Sequence, residues 1–295
     1  MENRKMWVER PGSRSFVFGG DEMQPLQHLR FLEAKKVGEP EVMLFGVPLE
    51  ATESFRGGTR FAPRAIREAS RSVESYSRIF GKDITQVPLA DLGDVVLSGD
   101  VAGDLEQVAG LVRGWASDGK RVVMLGGEHT ATLGVVRGIL RVLNKLQVVV
   151  LDAHSDFREE YLGLSLSHAT VCRRLCDMGV LVGVAGVRSF FGGEGEEFEG
   201  FLCQLEDLPS RLDPKRPLYL SIDLDALDPS LCPGVSNPEP GGISYAQVLE
   251  LFRSLRRFDV VGLDVVEGCP PCDPSGATMV VAAKLVQEGI AAFWG

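Results

Sequence analysis

Short apolar runs alternate with longer segments of helical periodicity along most of this chain. Residues 147–151 form a run of mostly branched apolar side chains, which is typical of a strand that is buried on both faces. Similar runs predict further strands at 42–47, 87–92, 121–125, 180–185, 218–222 and 259–266. Strands that are separated by helices predict a parallel sheet with helices on both faces.

The segments between these strands have the periodicity or the end signals of helices. They are predicted over 64–76, over 103–118, from 130 to about 144, and over 167–178, 245–255 and 277–292. Pro63 marks the start of the first helix, and Ser244 is a candidate N-cap of the helix at 245–255. The pattern therefore predicts an α/β fold with three layers, in which a central, mostly parallel sheet lies between helices.

No low-complexity linker or internal repeat divides the chain, so residues 41–295 are predicted to form a single domain. Residues 1–40 have no clear periodicity, because Gly19, Gly20 and Pro25 interrupt it. We expect this N-terminal extension to pack on the domain or on a neighbouring subunit.

Composition argues against some classes of binding partner and indicates where in the cell the protein is located. The 295 residues carry a net charge of −10 without a dense lysine and arginine cluster, which argues against nucleic-acid binding. An acidic chain suits a cationic substrate. No run reaches the roughly 18 apolar residues that span a bilayer, and residues 1–14 lack the apolar core of a signal peptide. We therefore expect a cytoplasmic protein without a membrane partner, whose six dispersed cysteines form no secreted disulfide framework.

Polar side chains with metal-binding chemistry follow four of the predicted strands. In an extended backbone alternate side chains point the same way, so Asp152, His154 and Asp156 can converge on one point beyond the strand at 147–151. The complete set is His129, Asp152, His154, Asp156, Asp223, Asp225 and Glu267. In parallel sheets ligands bind beyond the carboxyl ends of the strands, which is where these residues fall.

Each of these residues alone has an ordinary structural explanation. A histidine that follows two glycines, as His129 does, is typical of a helix cap or a loop, and the spacing of Asp223 and Asp225 is typical of a turn. Asp228, which precedes Pro229, is interpreted as such a turn residue. Four aspartates that converged without a cation, however, would repel each other strongly in a site of reduced dielectric. Their convergence favours a metal cluster.

The charges of this set favour two divalent ions. Four aspartates carry four negative charges, which two divalent cations neutralise and one does not. Oxygen-rich ligands with two imidazoles and no thiolate favour Mn²⁺, and Fe, Co and Ni stay open as alternatives. Two ions that share a bound water lower its pKa and supply a hydroxide nucleophile at neutral pH.

Three segments of the chain resemble the signatures of the ureohydrolase (arginase/agmatinase) family. They are Gly126–Thr130, Asp152–Asp156 and Ser221–Pro229. The resemblance extends from residues 46–48, through 61–68, to the C-terminal helix. Within the family the sequence is most similar to agmatinases, at residues 61–70, 90–94 and 160–170. The resemblance implies the arginase-like form of the three-layer fold.

The resemblance also implies two Mn²⁺ ions per subunit. One ion would be bound by His129, Asp152, Asp156 and Asp223. The other would be bound by Asp152, His154, Asp223 and Asp225. Asp152 and Asp223 would then bridge the two ions.

Three residues have implied roles in the reaction. Glu267 matches the carboxylate that binds the guanidinium group, and His168 matches a histidine that lines the entrance and moves protons. Asp156 would pass a proton to the leaving nitrogen after a metal-bridging hydroxide attacks the guanidinium carbon. The implied reaction is the hydrolysis of agmatine, a small cationic guanidine, to putrescine and urea in polyamine biosynthesis. The resemblance further implies a homotrimer or a homohexamer.

Two departures from the family pattern stand out. Glu128 occupies a position where many members have Asp, and Thr130 one where they have Ser. Cys269 and Cys272 form an unusual Cys-x-x-Cys pair. A packing or loop role, a redox-sensitive pair and a third metal site are open interpretations of this pair.

Other functions stay open at this point. The chain could hydrolyse another guanidino or formimino compound, or it could be an arginase. Residues 157–167 contain Arg158, Glu159 and Glu160 but lack the run of Asn, Thr and Ser that resembles an arginase's amino-acid-recognising loop. A catalytically silent regulatory subunit is the alternative of a different class, against which the presence of all six metal-ligand candidates argues.

Overall fold

Seven parallel strands form the central sheet in the part of the chain that the computed structural model describes, residues 29–33, 39–192 and 195–295. We label them in chain order as β1 Val42–Val47, β2 Leu89–Asp94, β3 Arg121–Gly126, β4 Gln147–Leu151, β5 Leu181–Ala185, β6 Leu218–Asp223 and β7 Val260–Val266. The order across the sheet is β2-β1-β3-β7-β6-β4-β5.

The central strands lack the alternation of apolar and polar residues because both of their faces are covered. Every residue of β1, β4, β6 and β7 is buried. The edge strand β2 is the contrast, since exposed residues interrupt it. The continuous apolar runs of the sequence therefore correspond to the interior of the sheet.

Helices pack on both faces of the sheet. They are α1 Ala62–Ser70, α2 Val101–Ser117, α3 Ala131–Leu140, α4 Val171–Asp177, α5 Gly195–Glu199, α6 Leu208–Arg211, α7 Tyr245–Leu255 and α8 Ala277–Phe293. One buried cluster joins α1, α6, α7 and α8 to the first face. A second cluster joins α2, α3, α4 and α5 to the other face. The predicted three-layer α/β architecture is confirmed, and the sheet is parallel throughout.

Helix α7 has the bounds and the N-cap that the sequence predicts. The Ser244 hydroxyl accepts the N–H of Gln247 at 3.3 Å, and the Gln247 side chain accepts the N–H of Ser244 at 3.0 Å. This reciprocal pair satisfies two donors that a helix start would otherwise leave free.

The first helix is shorter than predicted, because it ends at Ser70 rather than near Tyr76. Tyr76–Ser77 instead pairs with Lys82–Asp83 in a short antiparallel hairpin. The Ser77 hydroxyl donates to the Glu288 carboxylate of α8, which anchors the hairpin to the core. A tertiary contact has overridden local helical periodicity here. The helix predicted to end near residue 144 likewise ends at Leu140, where a turn leads into β4.

Most of the predicted N-terminal extension lies outside the described residues. Within the described part, the Phe31 side chain is buried in the first core cluster. Its N–H donates to the Asp91 carboxylate at 2.7 Å. No helix in the described ranges has the length and hydropathy needed to cross a membrane.

Candidate metal centre

The strand order explains how residues from four distant segments meet. β3, β7, β6 and β4 are consecutive neighbours in the sheet, and all run parallel. The segments that leave their carboxyl ends carry His129, Glu267, the Asp223 and Asp225 pair, and the Asp152 to Asp156 triplet. Parallel strands thus place all of these groups at one edge of the sheet.

Three carboxylates surround one nitrogen of the buried His129. Its Nδ1 atom lies 3.1 Å from Asp152 Oδ2, 3.3 Å from Asp156 Oδ2 and 3.4 Å from Asp223 Oδ2. Nitrogen and oxygen ligands lie about 2.0–2.2 Å from a divalent first-row ion, which places neighbouring ligand atoms about 3 Å apart. The spacing of these four atoms therefore suits one shared cation.

A second group of donors adjoins the first. His154 Nδ1 lies 2.8 Å from Asp225 Oδ2 and 3.7 Å from Asp152 Oδ1. Asp152 therefore belongs to both groups, as expected of a bridging ligand. Asp223 belongs to the first group, while the second group is made of Asp152, His154 and Asp225. A bridging role for Asp223 stays a prediction.

Backbone N–H groups aim the carboxylates into the cluster. Asp152 Oδ1 accepts the N–H of His154 at 2.7 Å, and Asp223 Oδ1 accepts the N–H of Asp225 at 2.8 Å. Asp225 Oδ1 accepts the N–H of Ala153 at 3.0 Å. In all three residues the second oxygen is left for the cluster. The spacing of two residues thus orients Asp152 and Asp223, whereas a distant segment orients Asp225.

Two atoms of this cluster test whether a cation fits. His129 Nδ1 and Asp152 Oδ2 are buried and form no hydrogen bond within the described residues. Buried polar atoms without a partner are costly, so a ligand is expected between them. Both atoms belong to the first donor group, and the donors are those that divalent transition-metal ions prefer. The residues therefore fit a metal centre.

The electrostatics lead to the same conclusion. Burial and the neighbouring Asp152 raise the pKa of Asp156 to about 7. Burial and the charges of Asp225 and Asp152 also raise the pKa of Asp223 well above its ordinary value. Burial opposes the charged form of His154, but hydrogen bonds to Asp152 and Asp225 raise its pKa to about 12. The cluster thus retains protons unless another positive charge replaces them.

Two residues of the site have a left-handed backbone. Asp156 has φ 46° and Glu267 has φ 62°, and these are two of the four non-glycine residues with positive φ in the described ranges. Such conformations cost about 1–3 kcal/mol and are held by surrounding structure, commonly at functional sites. Here they direct two carboxylates toward the same cavity.

A hydroxyl and carboxylate network beneath His129 was not anticipated from the sequence. His129 Nε2 lies 3.1 Å from Ser221 Oγ, whose hydroxyl donates to Asp264 Oδ1 at 2.7 Å. Asp264 Oδ2 accepts hydroxyl donors from Tyr219 at 2.7 Å and Thr132 at 2.8 Å. The signal for this network in the sequence is Asp264, a charged residue in the middle of the apolar run of β7. Such a network orients a metal-binding histidine.

The cluster opens into a cavity of about 370 Å³. Asp156, His168 and Glu267, to which the sequence analysis gave roles in the reaction, all line it. Glu239 lines the same cavity, and its Oε1 lies 3.9 Å from His154 Nε2. The guanidinium group of Arg158 lies 3.8 Å from the centre of the Phe191 ring.

Glu267 connects this cavity to the metal-ligand candidate His129. Its Oε1 accepts the backbone N–H of His129 at 2.6 Å. Burial raises the pKa of Glu267 well above its ordinary value, and the nearby Glu128 adds to the shift. A cation in the cavity would stabilise this carboxylate in its charged form.

Three further residues with proposed roles lie outside the cluster. Asp228 is a turn residue, as predicted, since its Oδ1 accepts the N–H of Ser230 at 2.9 Å and its Oδ2 that of Gly242 at 3.2 Å. Cys269 and Cys272 are joined in a disulfide in the loop that follows Glu267. Neither cysteine belongs to a metal-ligand group among the described residues.

Comparison with known proteins adds independent information. Residues 40–291 match the Arginase family. An agmatinase from Halalkalibacterium halodurans is 36% identical over 264 residues, which cover 84% of this chain and 90% of that protein. An N(1)-aminopropylagmatine ureohydrolase from Thermococcus kodakarensis is 35% identical, with coverages of 86% and 92%. The crystal structure of agmatine ureohydrolase from Thermoplasma volcanium matches with a TM-score of 0.81 at 34% identity, over 92% of this chain and 95% of that one.

Proposed function

Because the chain belongs to the arginase family and is an agmatinase-like ureohydrolase, we propose that it hydrolyses agmatine to putrescine and urea with two Mn²⁺ ions. The observation that carries this proposal is the position of Glu267. This buried carboxylate lines the same cavity as Asp156, Asp223 and Asp225, so a planar cation can bind beside the metal-ligand candidates.

The two ions would be held by the six ligands predicted from the sequence. These are His129, Asp152, His154, Asp156, Asp223 and Asp225. When bound, the ions supply Lewis-acid polarisation and a water molecule of low pKa. The protein side chains supply the binding, the orientation and the proton transfers.

Glu267 orients the substrate. One of its oxygens is occupied by the N–H of His129, so the other is left for N–H groups of the guanidinium. A charge-assisted hydrogen bond of this kind fixes the planar group and keeps its charge paired. The guanidinium carbon is thereby held close to the metal ligands.

Asp156 and His168 move protons in the proposed reaction. Asp156 adjoins His129 in the cluster and also lines the cavity, so it lies between the ligands and the substrate. A carboxylate in this position can take up a proton and pass it to the leaving nitrogen. His168 lines the cavity from the loop before α4 and exchanges protons there.

Two charged residues that line the cavity bear on the choice of substrate. Glu239 supplies a carboxylate for the distal ammonium group of agmatine. Arg158 favours a second candidate, a guanidino acid with a distal carboxylate, because it is the only arginine or lysine among the described residues that line the cavity. We favour agmatine because Arg158 is stacked on Phe191, while Glu239 adjoins the metal ligand His154.

Urea release from a substrate panel tests the proposal. The Mn²⁺-loaded protein is assayed with agmatine, N(1)-aminopropylagmatine, 4-guanidinobutanoate, arginine and N-formiminoglutamate, with formamide measured for the last. We expect the highest kcat/KM with agmatine. A tenfold preference for 4-guanidinobutanoate would establish the second candidate instead. Absence of product from every compound in a metal-replete protein would support a silent regulatory subunit.

The setting of this reaction is part of the proposal. We place the enzyme in the cytoplasm, in polyamine biosynthesis, as a homotrimer or homohexamer without nucleic-acid or membrane partners. Light scattering coupled to size-exclusion chromatography measures the mass of the assembly, for which three or six times the 32.0 kDa of the chain is expected.

A further inference from the structure

Thr52 links a buried carboxylate to the histidine of the cavity. Its hydroxyl donates to Glu128 Oε1 at 2.8 Å, and the same oxygen lies 3.0 Å from His168 Nδ1. The backbone N–H of His168 also donates to Thr52 Oγ1, at 3.1 Å. Thr52 lies in the loop after β1, which thus reaches across the site to residues 128 and 168.

Glu128 is held as a hydrogen-bond acceptor on both of its oxygens. Oε2 accepts the backbone N–H groups of Ala51 at 2.6 Å and Thr52 at 2.8 Å. Oε1 accepts the hydroxyl of Thr130 at 2.6 Å in addition to that of Thr52. The side chain is fully buried, and it occupies the position at which the sequence departs from the family's common Asp.

The direction of these hydrogen bonds follows from the number of hydrogens that the Glu128 carboxylate and the Thr52 hydroxyl carry. An ionised carboxylate only accepts, so the single hydroxyl hydrogen of Thr52 points to Glu128. Thr52 Oγ1 therefore has only lone pairs to offer His168, and it accepts hydrogens from the backbone N–H and from Nδ1. His168 then carries its ring proton on Nδ1.

We propose that Glu128 and Thr52 are positioning residues that fix His168 in the tautomer protonated on Nδ1. Its Nε2 is then the nitrogen with a free lone pair, available to take up a proton in the cavity. The tautomer follows from the hydrogen bonds alone, whereas its use in proton transfer rests on the proposed function. Burial lowers the pKa of His168, which keeps the ring neutral at neutral pH and makes the choice of tautomer matter.

Nitrogen-15 NMR of the histidine rings tests the tautomer directly. The full-length protein is loaded with Zn²⁺, a diamagnetic d¹⁰ ion, and the spectrum is recorded at about pH 8, above the ordinary histidine pKa of about 6.5. The chain has four histidines, and His168→Gln identifies the signal of interest. We expect a protonated Nδ1 and an unprotonated Nε2 in the native sequence. A proton on Nε2 would overturn the proposal.

Three threonine variants separate the Thr52 contact from general effects on Glu128. Thr52→Val removes the hydroxyl and should release His168 into a mixture of tautomers, while Thr52→Ser should retain the native one. Thr130→Val is the matched control, because it removes the other hydroxyl donor of Glu128 without touching His168. An unchanged tautomer in Thr52→Val, or an equal change in Thr130→Val, would contradict the positioning role.

Glu128→Gln gives the sharpest test because it should reverse the tautomer. The introduced amide oxygen must face the two fixed N–H groups of Ala51 and Thr52, so the amide NH₂ faces the two hydroxyls. The Thr52 hydroxyl then accepts from the amide, and its own hydrogen turns to His168 Nδ1. The ring proton is expected on Nε2 in this variant. A spectrum with Nδ1 still protonated would refute the role of Glu128.

Kinetics test the catalytic consequence separately. In Thr52→Val we expect kcat for agmatine to fall about tenfold or more, with KM changed by less than threefold and with recovery in Thr52→Ser. If the native protein releases no product from any guanidine, the proposed function fails while the NMR result still stands. A native-like kcat in a variant whose tautomer has changed would remove the catalytic part of the inference.

Discussion

The backbone N–H of His129 donates to Glu267 Oε1 at 2.6 Å, so a single hydrogen bond joins a metal-ligand candidate to the carboxylate of the cavity. The two residues are 138 positions apart in the chain, and they meet because β3 and β7 are neighbours in the sheet. The separation between His129 and Glu267 is therefore set by the rigid part of the fold rather than by a flexible loop.

The hydrogen bond from His129 to Glu267 predicts how Glu267→Gln affects activity. The fixed N–H of His129 requires an acceptor, so the introduced amide oxygen must take that place and its NH₂ must face the cavity. The amide NH₂ and the N–H groups of the guanidinium are all donors, so they form no hydrogen bond with each other. We expect kcat/KM for agmatine to fall about 100-fold or more, since the loss of a charge-assisted contact costs ~2–3 kcal/mol.

The metal content of Glu267→Gln, measured by plasma mass spectrometry, should equal that of the native protein. Loss of a metal would mean that Glu267 supports an ion directly. Unchanged kcat/KM would mean that the guanidinium binds elsewhere.

Asp223 and Asp228 provide a matched pair of aspartates five positions apart. Asp223→Ala should abolish activity and sharply lower the metal content, because Asp223 Oδ2 faces His129 Nδ1 at 3.4 Å within the donor cluster. Asp228→Ala should keep about two metals per chain, because Asp228 accepts hydrogen bonds from Ser230 and Gly242 outside the donor cluster. Equal metal loss in the two variants would contradict the structural role of Asp228.

Metal binding should release protons. The pKa of Asp156, raised to about 7 by burial and by Asp152, leaves a proton on this carboxyl below neutral pH, and a cation must displace it. The apparent Kd for Mn²⁺ should therefore rise about tenfold for each pH unit below pH 7 per displaced proton. Titration calorimetry in two buffers of different ionisation enthalpy measures the released protons. Identical heats in both buffers would contradict this expectation.

The interior of the sheet and the clustering of the candidate metal ligands could be predicted from the sequence for physical reasons. Residues 148–151 of β4 are an unbroken apolar run, and folding alone does not explain three hydrophilic groups together directly after it. Alternation in an extended backbone predicts that Asp152, His154 and Asp156 lie close together. In the structure, the carboxylates of Asp152 and Asp156 lie 3.1 Å and 3.3 Å from His129 Nδ1.

Contacts between distant segments could not be predicted in this way. Thr52 and His168 are 116 positions apart, and their pairing depends on the path of a loop rather than on a periodic pattern. Asp264 lies within an apolar run, so only the neighbouring strand shows that Ser221 is its partner. The end of α1 at Ser70 depends in the same way on a hairpin that packs against α8.

The Cys269–Cys272 pair should be dispensable for metal binding. Both sulfur atoms are joined to each other, and the metal-ligand groups in the described ranges contain neither residue. Cys269→Ser and Cys272→Ser should therefore retain both metals and most of the activity, measured as metal content and urea release. A stoichiometric loss of one metal in either variant would revive the third-metal interpretation.

The final prediction concerns the pair Arg67 and Asp91, which joins two segments that resemble agmatinases. Both side chains are buried, and Arg67 contacts Asp91 through Nε at 2.8 Å and Nη2 at 2.9 Å. Asp91 also accepts the N–H of Phe31, so the pair ties α1, β2 and the chain before β1 together. Removal of one member of such a pair leaves a buried charge without compensation.

We expect Arg67→Met to lower the free energy of unfolding by about 3–5 kcal/mol, because Asp91 then lacks its cation. The double variant Arg67→Met/Asp91→Asn should lose less stability than the sum of the two single variants, since neither charge is then left without its partner.

Asp94→Asn is the matched control. Asp94 contacts the same guanidinium with 36% of its side chain exposed, and an exposed pair contributes only about 0–1 kcal/mol. Urea denaturation of the metal-loaded protein measures the free energy of unfolding of Arg67→Met, Asp91→Asn, the double variant and Asp94→Asn. Additive losses in the double variant would show that the two residues stabilise the fold independently and not as an ion pair.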